Sequence, residues 1–161
     1  MEEIKLSKSI IGQDEIDAVV GVLKREYLGM GQEVQQLENT LSSFFERDVT
    51  CVNTGTAALH LALQAIGLKK GDEVLVQSLT YVSTFQAVSA TGATPIACEV
   101  DPASLTIDLV DASQKLTANT KAILPVHYGG NVGDLDALYK FAKKNKLRVI
   151  EDAAHAFGTI Y

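Results

Sequence analysis

Basic residues are in short supply in this chain: 14 Lys and Arg stand against 20 Asp and Glu, a net charge of -6 over 161 residues. No basic run gathers the positive charge there is, so the electrostatic footprint that phosphate-backbone binding needs is missing, and nucleic acid is disfavoured as a partner. Cysteine is scarcer still. Cys51 and Cys98 each lie in a short apolar stretch that reads as a strand, so reduced, buried thiols suited to the cytoplasm are expected rather than a disulfide. No segment approaches the roughly 18 to 20 apolar residues of a membrane span. The opening MEEIKLSKSI has no apolar core of signal-peptide length, which leads to the expectation of a soluble, cytosolic protein with no membrane partner. Two phosphate signatures are also missing: no Gly-Lys-Ser/Thr follows a glycine loop, and the three-glycine dinucleotide spacing does not occur. A nucleotide triphosphatase and a nicotinamide enzyme are disfavoured. No cluster of His or acidic residues stands at ligand spacing, so no metal site is expected. Repeats, low-complexity tracts and interdomain linkers are not evident.

What is present is a chain that is 47% hydrophobic and of single-domain length, enough to bury one sizeable core. From Gln13 to Arg25 the residues Ile16, Val19, Val20 and Leu23 fall on a helical period, with Asp14 and Glu15 in the first turn. The glycines of Tyr27-Leu28-Gly29-Met30-Gly31 interrupt that pattern, and a second helix carries Val34, Leu37, Leu41 and Phe44 on one face. These helices occupy residues 1–48. Over 49–161 the chain alternates. Strands are predicted at Thr50 to Val52, Glu73 to Val76, Thr94 to Ala97, Lys121 to Pro125 and Leu147 to Glu151. Helices are predicted at Ala57 to Ile66, Tyr81 to Thr91, Leu109 to Leu116 and Leu135 to Lys144. Alternation of this kind specifies an α/β fold, a mostly parallel sheet with helices on both faces and right-handed crossovers.

In such a fold ligands bind outside the carboxyl ends of the strands. Three predicted loops there carry unusual residues. Asn53-Thr54-Gly55-Thr56 precedes a helix, so its glycine lets an anion, such as a phosphate, approach free N–H groups at the positive end of the helix dipole; capping by Thr54 or Thr56 is the plainer alternative. Ser78-Leu79-Thr80-Tyr81 offers an aromatic that either lies against a planar ligand or packs in the ordinary way. Arg148-Val149-Ile150 leads into Glu151 and Asp152, one of which should face the cleft, there to bind a metal, act as a base, pair with a protonated ring nitrogen or merely cap a turn. Together the loops supply a phosphate cradle, an aromatic platform and an acid.

An ordered series of motifs along nearly the whole chain resembles the DegT/StrS sugar aminotransferases, pyridoxal-phosphate (PLP) enzymes of fold type I, the aspartate-aminotransferase type. The series runs Leu28-Gly29-Met30-Gly31, Asn53-Thr54-Gly55-Thr56-Ala57-Ala58-Leu59-His60, Gly71-Asp72-Glu73-Val74 and Thr80-Tyr81-Val82-Ser83-Thr84. It continues through Asp101-Pro102, Thr120-Lys121-Ala122-Ile123, Pro125-Val126-His127-Tyr128-Gly129 and Val149-Ile150-Glu151-Asp152-Ala153-Ala154-His155. The resemblance implies that Gly55 and Thr56 bind the cofactor phosphate, Tyr81 stacks on the pyridine ring, Asp152 pairs with the pyridinium nitrogen and His155 lies near the phenolic oxygen. His60 and His127 match the motifs too, but read as structural. Tyr128-Gly129-Gly130-Asn131 departs from the commoner family forms.

The resemblance also implies a lysine that holds the cofactor as a Schiff base and lies downstream of Asp152, beyond Tyr161. None of Lys121, Lys143, Lys144 or Lys146 matches it. These 161 residues are therefore expected to be the N-terminal part of the PLP-binding large domain, lacking the rest of that domain and a small C-terminal domain, and to be inactive alone. The intact protein is expected to be a homodimer that passes an amino group, commonly from glutamate, to a nucleotide-linked keto-deoxysugar. A dehydratase of the same family, with histidine in place of the lysine, and a non-catalytic module sensing PLP or a sugar nucleotide are the alternatives. An unrelated nucleotide-binding α/β domain is a more distant one.

Overall fold

The computed structural model describes residues 9–161, so the opening MEEIKLSK, part of the stretch read above for a leader, lies outside the described residues. The chain forms two compact units, one ending at Cys51 and the other beginning at Val52.

In the first unit α1 spans Gln13–Lys24 and α2 spans Gln32–Phe45. The Glu15 carboxylate accepts from the Gly12 N–H at 2.6 Å, satisfying a donor just ahead of the first turn, as a capping-box glutamate does. The Arg25 guanidinium pairs with Glu33 across the turn between the helices. The apolar stripe expected on α1 is present, but Ile16, Val19, Val20 and Leu23 stay largely exposed among the described residues. The strand expected at Thr50 to Val52 does not form. Amides in and next to it are taken instead by α2 side chains: Cys51 N–H donates to Glu38 Oε1 at 2.7 Å and the preceding Val49 N–H to Ser42 Oγ at 3.0 Å. Cys51 is consequently half-buried and outside any strand, whereas Cys98 is fully buried on one; both thiols are free.

The second unit runs α3 (Gly55–Ala65), β1 (Glu73–Gln77), α4 (Val82–Ala90), β2 (Thr94–Cys98), α5 (Leu109–Gln114), β3 (Thr120–Leu124), a short 3-10 turn (Tyr128–Gly130), α6 (Leu135–Asn145) and β4 (Arg148–Val149). All strand pairs are parallel, in the order β2-β1-β3-β4. β1 and β3 are central, and Val74, Leu75, Val76, Ala122, Ile123 and Leu124 are fully buried. Apolar residues run on without alternation because both faces are covered. Val74, Val76, Ala122 and Leu124 face α3 and α4, while Leu75 and Ile123 face α5 and α6. The expected α/β sandwich is thus observed. β3 lies one residue earlier than predicted, and β4 is shorter: beyond Val149 only a bridge between Val126 and Asp152 continues the pairing. No helix among the described residues is long and apolar enough to cross a membrane.

Candidate functional site

A parallel sheet puts the carboxyl ends of all its strands on one edge, and each covering helix, running back the other way, brings its N-terminus to that same edge. In this sheet the chain leaves β1 for β2 on one side and later returns to add β3 on the other, so the crevice between β1 and β3 is the topological switch point where α/β folds bind ligands. The buried Gln77 side chain spans that crevice. Its Nε2 donates to the carbonyls of Leu79 and Leu105, each at 3.1 Å, and its Oε1 accepts from Val126 N–H at 3.3 Å.

The two carboxylates after β4 diverge, as successive residues of an extended chain must. Glu151 turns toward α6, where it takes the Tyr139 hydroxyl and His127 Nε2, the latter at 2.6 Å. Burial, and then the hydrogen bond to Glu151, push the Tyr139 phenol up to about 12. Asp152 turns toward α4, where its Oδ2 accepts from Thr84 Oγ1 at 3.1 Å; Ala154 N–H lies 3.3 Å from Oδ1. Its backbone is held as well, with Asp152 N–H on Pro125 O and His127 N–H on Asp152 O, both at 3.0 Å. Asp152 is therefore a half-buried acid fixed at the switch-point edge.

α3 starts at Gly55, two residues earlier than predicted. Thr54 caps it, Oγ1 accepting from Ala57 N–H at 3.0 Å, while its carbonyl takes Ala58 N–H. Capping by Thr54 leaves the amides of Gly55 and Thr56 without an acceptor among the described residues, so the cap does not use up these two donors. A methyl group on Gly55 would meet nothing within 4 Å, which makes the approach to these amides open. Tyr81 is the N-cap of α4, a residue 76% exposed rather than packed. His155 is also exposed; Gly129 N–H donates to its Nδ1 at 3.3 Å, and Tyr128 meets it edge-on with centroids 5.9 Å apart. Gly130, at φ +84°, passes so close that a Cβ would sit 3.1 Å from the His155 carbonyl oxygen.

Four of the five residues singled out from sequence thus lie at helix starts or just past a strand at one edge, and the fifth, His155, follows in the next turn. His127, read as structural, has its imidazole buried against Glu151. His60 has a buried Nε2 without a partner among the described residues. Gln77, Thr84 and Tyr139 were missed. The only sequence signal for the first two is a polar side chain next to or among apolar residues of a predicted element, Gln77 directly after the strand read to Val76 and Thr84 inside the helix read from Tyr81.

The sequence profile of the DegT/DnrJ/EryC1/StrS aminotransferase family matches residues 9–161. The chain belongs to that family. DegT/DnrJ/EryC1/StrS proteins are PLP-dependent enzymes with the fold type I architecture. The chain is 42% identical over 156 residues to the spore coat polysaccharide biosynthesis protein SpsC of Bacillus subtilis (strain 168), covering 96% of this chain and 40% of that protein. The structure of NtdA from Bacillus subtilis, with bound cofactor PMP, superimposes with a TM-score of 0.86 at 34% identity, over 92% of this chain and 35% of that one. GDP-4-keto-6-deoxymannose-3-dehydratase, with a trapped PLP-glutamate geminal diamine, gives a TM-score of 0.89 at 26% identity, over 99% and 43%. The chain spans about two-fifths of the length of these relatives.

Proposed function

We propose that these residues form the cofactor-binding part of a PLP-dependent aminotransferase, which moves an amino group from an amino acid such as glutamate to the keto carbon of a nucleotide-linked deoxysugar. The product would feed cell-surface polysaccharide or secondary-metabolite sugar synthesis in the cytoplasm. The observation that carries this reading is the pairing of a fixed acid, Asp152, with the open amides of Gly55 and Thr56 on one sheet edge.

That donor set fits PLP. Gly55 and Thr56 would hold its phosphate with backbone N–H groups and the α3 dipole. The exposed Tyr81 ring would lie against the pyridine, and His155 would stand near the phenolic oxygen. Asp152 would hold a proton on the ring nitrogen, and with that proton in place the bound cofactor supplies an electron sink for the transfer. The residues from Val52 onward would then form the core of the large domain. The lysine that anchors the cofactor and shuttles the proton would come from chain following Tyr161, as would the rest of the large domain and the small one, in a homodimer.

The match to a sugar dehydratase favours a second reading, a dehydratase that would use the same Gly55, Thr56, Tyr81 and Asp152. Borohydride reduction of the full natural chain loaded with PLP, followed by peptide mapping, separates the two. A label on a single lysine, with glutamate-dependent amination of a nucleotide keto-sugar, is the expected result. Bound cofactor without a labelled lysine would favour the dehydratase, and no cofactor binding would overturn both readings.

A further inference from the structure

Thr84 sits in the first turn of α4, completely buried, with its N–H on Tyr81 O at 3.1 Å. A helical threonine or serine ordinarily satisfies its hydroxyl on the carbonyl four residues back. Thr40 does so on Gln36 O and Ser89 on Phe85 O. Thr84 instead spans from helix to strand end, and its Oγ1 meets Asp152 Oδ2 at 3.1 Å and Thr80 Oγ1 at 2.7 Å. Proton counting fixes the direction of this chain. A carboxylate can only accept and a hydroxyl has one proton to give, so Thr84 donates to Asp152 and Thr80 must donate to Thr84. The run Thr80 to Thr84 to Asp152 therefore points in one sense, each bond polarising the next.

We propose that Thr84 is a positioning residue for the acid of the cofactor site, holding Oδ2 of Asp152 so that the carboxylate presents a fixed face to a ring nitrogen. This rests on the reading of Asp152 given above. The same helical turn begins at Tyr81, so one rigid element sets the aromatic platform and the acid relative to each other. A hydroxyl at this buried site has no packing advantage over the methyl of valine; its use is the bond to Asp152.

The test uses the full natural chain stripped of cofactor and measures the dissociation constant of pyridoxamine phosphate, which binds without a lysine linkage, by fluorescence titration. Thr84→Val keeps the shape and removes the hydroxyl; Thr84→Ser keeps the hydroxyl; circular dichroism checks that each is folded. The expected result is roughly tenfold weaker binding in Thr84→Val, recovery in Thr84→Ser, and no further weakening when Thr84→Val is added to Asp152→Asn. Wild-type affinity in Thr84→Val beside weakened Asp152→Asn would overturn the positioning role and leave the cofactor reading standing. So would equal effects of Thr84→Val in both backgrounds. Unchanged affinity in Asp152→Asn would overturn the cofactor role of Asp152 and the inference with it.

Discussion

Gln77 and Cys98 end neighbouring strands, both fully buried, and their chemistry there is opposite. Each polar atom of the Gln77 amide has a protein partner, and those partners lie on three separate segments. Gln77→Leu keeps the bulk and strands the Val126 N–H, so it is expected to cost about 2 to 3 kcal/mol, measured as a lower midpoint in urea unfolding. Cys98 is held as a thiol: burial first, then the nearby Asp111 carboxylate, push it up to about 11. In the native protein at neutral pH a thiol reagent should therefore label the half-buried Cys51 and leave Cys98 until the protein unfolds; rapid labelling of both would contradict this. The places of Asp152, Gly55 and Tyr81 at the carboxyl edge of the sheet were legible in the sequence because the alternation of strands and helices puts their loops there. The partners of Gln77 and Thr84 were not, because a buried polar side chain acquires its meaning only from the segment that folds against it.

Elements were legible where one periodicity held for several turns, as in α1, α2 and α6, and where an apolar run lay between turns, as in β1. They failed where tertiary partners decide. Residues 50–52 read as a strand by composition, yet Ser42 and Glu38 occupy the neighbouring amides before any strand can. β4 is short because past Val149 the backbone follows Pro125 to His127 around the crevice, where Asp152 keeps only its bonds to Pro125 O and His127 N–H. At α3 the cap and the open amides share one turn. Thr54→Ala should cost about 1 kcal/mol of stability by thermal unfolding, and fraying of that turn should weaken phosphate-bearing ligands more than ligands without a phosphate; equal weakening of both would remove α3 from the site.

Over the whole unit, α6 is fastened to the sheet by apolar packing and by Tyr139 on Glu151. The folded-state phenol is raised from 10.0 to about 12, so its contribution is complete below pH 10 and is lost as pH rises toward 12. Stability of the wild type should accordingly fall across that window, and Tyr139→Phe, less stable at pH 8, should show a flatter decline; parallel curves would show that the bond contributes nothing. The α/β class was readable from alternation alone, but the strand order was not, since nothing local says on which side of β1 the chain will return. That order also sets a timetable. As the chain leaves the ribosome, β1 can pair with β2 once Cys98 is clear, yet its other edge stays bare until Leu124 has emerged, and Asp152 comes later still. Within these 161 residues the crevice thus closes late, and the nascent chain carries an open hydrophobic strand edge for the whole time that residues 99–123 are being made.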